Sequence, residues 1–388
     1  KVLLNDARQF GIDFEPPDVN RGTYRFEPVG DKLVRYGLGA IKGTGQGAIE
    51  AIVAAREEGE PFRSLFDFCA RVDRTRINKR VVEALIKAGA FDSLHPDRTA
   101  GASQAGGSPS GGGGAGAWGR PALLASVTLA LDWADTQAAH ADQGGLFDFG
   151  DSHAASTHEP SLLGAEPWSV KERLGLEKTA LGFYLSGHLF DQSEAEVRQF
   201  ARRRIADLVD SREPQLVAGI VGDLRVVNGQ RGRVAIFKLD DRSASIEAVA
   251  DEKLLDANRE LLRDDELVVV SARVQPDRFS GGLRLNVQQL WDLPTARCRF
   301  GRYLQVRVNG SAPPVAQMLR EFPARRIDSE EGATMQGLPV RLLLERERAQ
   351  GELDLGEASR FFPSDAALAS WTRAACGNAR IIYATEAS

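Results

Sequence analysis

The spacing of apolar positions changes twice along the chain. Over residues 1–98, short strand-like pieces at 11–14, 24–26 and 34–37 give way to helical spacing. Ala48, Ile49, Ile52, Val53 and Ala55 share one face of a predicted helix over 48–58, and Gly59-Glu60-Pro61 ends it. A second helix is expected over 78–88, with Asn78 as N-cap, Val81, Val82, Leu85 and Ile86 on one face, and Gly89 as the stop. Leu123, Leu124, Val127, Leu131 and Trp133 predict a helix over 121–137; another follows over 170–185, with Ser186-Gly187-His188 as its end signal.

From Gln215 to Trp291 the period becomes two. Strands are expected over 216–227, 233–239 and 245–249, a helix over 253–262, then strands over 267–275 and 283–290. Three strands, a helix and two strands is the order of an OB-fold, a small Greek-key barrel. After Pro294, a strand at 303–308, a helix at 315–322, a strand at 340–344, a helix at 365–375 and a strand at 381–383 make a small α/β module. The expected fold class is multidomain α+β. Five segments are expected: 1–98, a glycine-rich insertion over 99–119, a helical linker over 120–210, a barrel over 211–293 and a C-terminal domain over 294–388.

Composition sharpens one boundary. Nine of the 39 glycines lie among residues 99–119, a stretch with no charge, and we read it as a flexible loop. Net charge is −5 in 388 residues, so nucleic-acid contact belongs to local basic faces and not to the whole surface. No apolar run approaches the roughly 18 residues of a membrane span, so no membrane partner is expected. Cys69, Cys298 and Cys376 are odd in number and far apart, which argues against disulfides and CxxC zinc modules and fits a reducing cytoplasm.

Three features carry binding chemistry. Ile41-Lys42-Gly43-Thr44-Gly45-Gln46-Gly47-Ala48 runs straight into a helix. Bare glycines there let backbone N–H groups approach a phosphate, and the helix dipole favours the anion. A second helix ends in its own Lys87-Ala88-Gly89-Ala90 turn, which suits a helix-hairpin-helix pair gripping duplex backbone. The plainer alternative is a tight interhelical turn that binds nothing. Candidate DNA contacts are Lys42, Gly43, Gly45, Gly47, Lys79, Arg80 and Lys87, in a region where 71–98 holds seven Lys/Arg against four Asp/Glu.

Next, Gln143-Gly144-Gly145-Leu146-Phe147 sets two large apolar residues in a polar tether; Gln143, Leu146 and Phe147 match peptides that bind the bacterial sliding clamp. On the predicted barrel, Arg225, Arg231, Arg233 and Phe237 surround the first hairpin, and Arg278, Phe279 and Arg284 the last. These are the single-strand candidates, aromatics for stacking and arginines for phosphate. Asp240-Asp241 ahead of Arg242-Ser243 reads as a turn, the five histidines are scattered, and there is no Walker loop. No catalytic residue, metal site or cofactor is therefore expected.

Several blocks are similar to one known family. Pro16-Pro17-Asp18-Val19-Asn20, Tyr36–Gly43, Phe62–Cys69, Asn78-Lys79-Arg80-Val81, Leu85–Asp92, Leu181–His188 and Phe279–Leu283 resemble the C-family replicative polymerases of bacteria, the DNA polymerase III alpha subunits. They cover roughly residues 1–300 in family order. The resemblance implies the C-terminal portion of a longer enzyme, consistent with a chain that begins at Lys1 without an initiator methionine. It implies the end of the fingers, a helix-hairpin-helix region, a clamp-binding segment, an OB-fold and a terminal domain that meets the clamp-loader tau subunit. The PHP domain and the palm, with its catalytic aspartates and Mg2+, would lie upstream, so the intact enzyme extends DNA and this piece does not. Within the family pattern, residues 99–119 are an insertion.

Three other readings compete. An error-prone family member used in lesion bypass tends to lack the clamp peptide. An NAD-dependent DNA ligase fragment places its barrel before a four-cysteine zinc site and the hairpins, the reverse of the order here. A non-enzymatic scaffold of helix-hairpin-helix and OB modules describes the piece physically, and a nucleotide-incorporation assay separates it from an active polymerase.

Overall fold

The computed structural model describes residues 7, 10–94, 119–143, 158–229, 232–277, 281–308, 313–329, 332–346 and 349–383. The chain divides at His188 into two compact units.

The first unit opens with a three-stranded sheet: β1 (Asp13–Glu15) lies parallel to β3 (Leu33–Arg35), and β2 (Glu27–Gly30) pairs antiparallel on the other side of β3. Among the described residues five α-helices follow: α1 (Gln46–Glu58), α2 (Leu65–Arg71), α3 (Lys79–Ala88), α4 (Arg120–Gln143) and α5 (Val170–Leu181). Local chemistry sets their ends. Ser64, Asn78 and Ser169 each accept a hydrogen bond from the backbone N–H three residues on, and Gly89 and Gly182 stop α3 and α5 in the left-handed region. The stop expected at Ser186-Gly187-His188 therefore falls four residues earlier, at Gly182.

One core joins these helices. Ile49 and Ile52, Phe66 and Phe68, Val82 and Leu85, and Leu123 and Val127 bring α1 to α4 together around Phe62 and Phe91. Phe68 meets Phe62 and Phe91 edge-on, with centroids 5.0 and 4.9 Å away. The stretch 120–210, read from sequence as a linker, is thus divided. α4 buries Leu123, Val127 and Leu131 in this core, each worth about 1.5–3 kcal/mol.

The second unit begins with α6 (Asp191–Val197) and a closed five-stranded barrel of order β4-β5-β6-β8-β7. Its strands are β4 (Ser211–Gly229), β5 (Gly232–Asp240), β6 (Ser245–Ala250), β7 (Leu267–Pro276) and β8 (Leu283–Trp291), with α7 (Glu252–Ala257) between β6 and β7. Alternate residues fill it: Ala235, Phe237 and Leu239 from β5, Ile246 and Ala248 from β6, Val268 and Val270 from β7. This is the OB arrangement expected from the sequence. α7 is shorter than the helix expected over 253–262.

After α8 (Leu293–Phe300), a four-stranded sheet of order β13-β12-β9-β14 forms from β9 (Gly301–Val308), β12 (Val340–Arg346), β13 (Ala349–Asp354) and β14 (Ala379–Tyr383). α9 (Val315–Glu321), α10 (Asp365–Ala374) and a hairpin of β10 (Arg325–Ser329) and β11 (Gly332–Gln336) complete it. Trp371, Phe361, Leu304 and Val306 are its centre. Buried Arg297 ties the pieces of this unit together, donating to Glu196 on α6 at 2.7 and 2.8 Å and to Asp365 on α10 at 2.6 Å.

Candidate nucleic-acid interface

The first hairpin is open to solvent. Gly43 has φ +89°, a conformation that glycine adopts freely. Gly45 is the N-cap of α1 in extended backbone, so its conformation does not demand glycine. Its effect is that no side chain caps α1, in contrast to Ser64, Asn78 and Ser169 on α2, α3 and α5. A Cβ built at Gly43 or Gly45 meets nothing within 4 Å among the described residues. The first-turn N–H groups of α1 therefore face outward with the positive end of the helix dipole.

The loop is held from below. The buried Thr44 hydroxyl reaches the Ile41 and Leu38 carbonyls at 2.7 and 2.9 Å. The Lys42 N–H donates to the Ala180 carbonyl at 2.8 Å, and the Lys42 side chain passes 3.4 Å from where a Cβ on Gly182 would sit. Exposed Lys42 thus flanks one side of the hairpin. Arg76 flanks the other, its Nη1 3.6 Å from the Cβ position of Gly47. Sequence reasoning counted Arg76 only as part of a basic run.

The second turn is closed. A Cβ on Gly89 would fall 2.2 Å from the Arg120 guanidinium. That guanidinium is buried at 6% exposure, pairs with Asp92 at 2.6 and 2.8 Å, reaches the Lys87 carbonyl at 3.4 Å and lies 3.7 Å from Glu177. Lys87 faces Glu83 at 3.8 Å; Lys79 donates to Thr128 at 3.0 Å and lies 4.0 Å from Glu83. Arg80 is exposed. The two turns are therefore not equivalent: the first presents bare backbone and the second is filled by an arginine. Nothing in the local sequence around Arg120 or Glu177 signals this contact, because it joins segments far apart in the chain.

On the barrel, one candidate is corrected. Phe237 is 1% exposed and packs inside with Ala235 and Leu239, so it cannot stack on a base. Arg225 faces Glu247 at 3.3 Å, Arg233 faces Glu252 at 2.8 Å and Asp256 at 3.1 Å, and Arg284 lies 3.9 Å from Asp277. Arg231, Arg278, Phe279, Leu146 and Phe147 lie outside the described residues, as do the insertion over 99–118 and the side chain of Gln143.

The remaining polar centres are structural. Asp241 is buried; burial raises its pKa, but hydrogen bonds from Ser243, the Ile205 N–H, Arg198 and the Ala244 N–H hold it below the usual carboxylate value. This is the turn expected from Asp240-Asp241. Burial pushes the Cys69 and Cys298 thiols up to about 12, so neither is a thiolate at neutral pH. Among the described residues no group of three His, Cys, Asp or Glu side chains could hold a metal ion, and no helix is long and apolar enough to cross a membrane.

The helix-hairpin-helix motif family matches residues 11–101, and the OB-fold nucleic acid binding domain family matches 216–293. The DNA polymerase III alpha subunit of Neisseria meningitidis serogroup B is 37% identical over 94% of this chain and 29% of its own length. Those of Pseudomonas aeruginosa and Escherichia coli are 37% and 34% identical, also over 94% of this chain. The chain belongs to the DNA polymerase III alpha subunit family. It spans about three-tenths of the length of these relatives, in their C-terminal part. Among solved structures, the second OB-fold domain of replication protein A from Methanococcus maripaludis is similar over 24% of this chain and 93% of its own, at 16% identity and a TM-score of 0.20. The two motif models cover the helical region that holds both turns and the barrel.

Proposed function

We propose that this region holds DNA and docks replication subunits for a replicative DNA polymerase. Duplex backbone is held at the Lys42–Gly47 hairpin and single-stranded template by the barrel unit. Gln143, Leu146 and Phe147 bind the sliding clamp, and the domain over 294–388 binds the clamp-loader tau subunit. The longer protein would be a DNA-directed DNA polymerase with Mg2+ at a palm carried elsewhere, working in the cytoplasm. The observation that carries this reading is identity of 34–37% to alpha subunits across 94% of the chain, together with an uncapped α1 flanked by Lys42 and Arg76.

Two measurements test it. The chain should bind a duplex with a steep salt dependence, since phosphate contacts release counterions. Replacing Gln143, Leu146 and Phe147 together by alanine should abolish binding to the clamp and leave duplex affinity unchanged. Clamp affinity that survives the triple replacement overturns the tether assignment.

A further inference from the structure

The second unit holds a groove of about 550 Å3 beside the start of β4, away from the Arg225 end of that strand. Arg202, Arg203 and Arg299 line it, all exposed, against one carboxylate, Glu213. Arg203 is steadied by donating to the Gln215 side chain at 3.0 Å, and the Arg299 guanidinium lies 5.0 Å over the Trp291 ring. Phe200 and Phe300 form the apolar floor. They stack on each other at 5.3 Å and 6°, so each covers one face of the other.

The barrel face differs in charge. Arg225, Arg233 and Arg284 each face a carboxylate there, and Lys238 faces Asp223 at 3.0 Å. A phosphate arriving at Arg225, Arg233, Arg284 or Lys238 must displace an existing partner; one arriving in the groove meets a net excess of two positive charges. We propose that the groove of Arg202, Arg203 and Arg299 is a binding site for the phosphodiester backbone of single-stranded DNA, and that it contributes more to single-strand affinity than the paired cations of the barrel face do. The groove is the size that encloses one small molecule, so a duplex does not enter it. Its rings offer edges and filled faces, so recognition is by phosphate and independent of sequence. β4 runs from the groove to the position of Arg225, giving a continuous path along the barrel.

The inference rests on the single-strand role proposed above, and the test separates the two. Fluorescence anisotropy of the whole chain is measured at several salt concentrations with an oligothymidine of about 20 nucleotides and with a matching duplex. Each lost single-strand phosphate contact removes about 0.7 from the slope of log K on log salt, so losing two in 0.1 M salt weakens binding roughly 25-fold. Arg202→Ala/Arg203→Ala should show that loss on the oligothymidine with duplex affinity unchanged. Arg225→Ala, which removes an already paired cation, should change single-strand affinity by less than about threefold. Equal oligothymidine affinity in wild type and the Arg202→Ala/Arg203→Ala variant overturns the groove, as does an acidic peptide whose binding that variant abolishes while oligothymidine binding is kept. A chain that binds no oligothymidine at all overturns the single-strand role itself.

Discussion

Replacing Arg120 by methionine should destabilise the first unit far more than an ordinary arginine loss. The guanidinium is buried between Asp92, the Lys87 carbonyl and Glu177. Asp92 can rehydrate, because its side chain is 42% exposed. Glu177 cannot: it is 1% exposed, and among the described residues Arg120 is the cation within 4 Å of it. Methionine keeps the bulk and removes the charge, leaving a buried carboxylate unpaired. Orphaning one partner of a buried ion pair costs about 3–5 kcal/mol. The value here should fall near the low end, about 3 kcal/mol, because Glu177 keeps hydrogen bonds from the Leu185 N–H, the Ser186 N–H and the Ser186 hydroxyl.

For a unit of this size each kcal/mol shifts the midpoint by roughly 2–4 °C, so calorimetry should show a fall of roughly 6–12 °C in one transition. A double-mutant cycle isolates the cause. Adding Glu177→Gln neutralises the stranded charge, so Arg120→Met/Glu177→Gln should be less destabilised than the sum of the two single variants, by at least about 1 kcal/mol. Asp92→Asn should cost no more than about 1 kcal/mol, as expected for a half-exposed partner. A loss below about 1 kcal/mol in Arg120→Met, or strict additivity in the cycle, would refute the argument that charge burial at Glu177 makes Arg120 indispensable.

Three further outcomes are expected. Lys42→Ala should weaken duplex binding and lower the salt slope by about 0.9, while Lys87→Ala, whose turn is filled by Arg120, should change neither; anisotropy on a duplex checks both, and an equal effect of Lys87→Ala contradicts the inequality of the two turns. The Asp241 pKa is lower in the folded than in the unfolded chain, so its stabilisation is present above about pH 4 and lost as pH falls below it; Asp241→Asn should lower the urea midpoint at pH 7, with the difference from wild type shrinking by pH 3. Deleting residues 102–116 removes about half of the chain between Asp92 and Arg120, which changes loop-closure entropy by only about 0.6 kcal/mol; a thermal midpoint that falls by more than about 5 °C would show that the insertion does more than connect these two paired residues.

What could be read from the sequence was local. Asn78 and Gly89 carry their own signals, a short acceptor and a residue free to adopt positive φ, and the structure uses both as read. Gly182 carries the same signal, and it ends α5 ahead of the Ser186-Gly187-His188 turn. The parity of β5 was also available. Lys238 needs solvent, so its neighbours Phe237 and Leu239 point inward, and the apolar Val234 and Ile236 obscured that alternation. What was not legible depends on distant partners. The hairpin β10–β11 and strand β13 carry few large apolar residues, and Ile327, Met335 and Leu353 are exposed, so their pairing comes from neighbours and not from an apolar period. Arg120 and Arg297 are indistinguishable in sequence from surface arginines; they are buried because carboxylates elsewhere in their own units meet them.

That last contrast explains why charge counts say little about where nucleic acid binds. The chain has 49 Lys and Arg residues against 54 Asp and Glu, and what separates a staple from a contact is the carboxylate near it. Arg120, Arg198 and Arg297 sit at 2.6–2.7 Å from carboxylates and are largely excluded from solvent, so their charge is consumed within the fold. Arg233 and Arg225 are exposed but still held at 2.8 and 3.3 Å, so a phosphate gains only the difference between two partners. Lys42 beside an uncapped helix, and Arg202 on a groove with one acid, meet a phosphate without first breaking an internal ion pair. The affinity of each module should therefore follow the unpaired cations it presents, which ranks the first hairpin above the second for duplex and the groove above the barrel face for single strands.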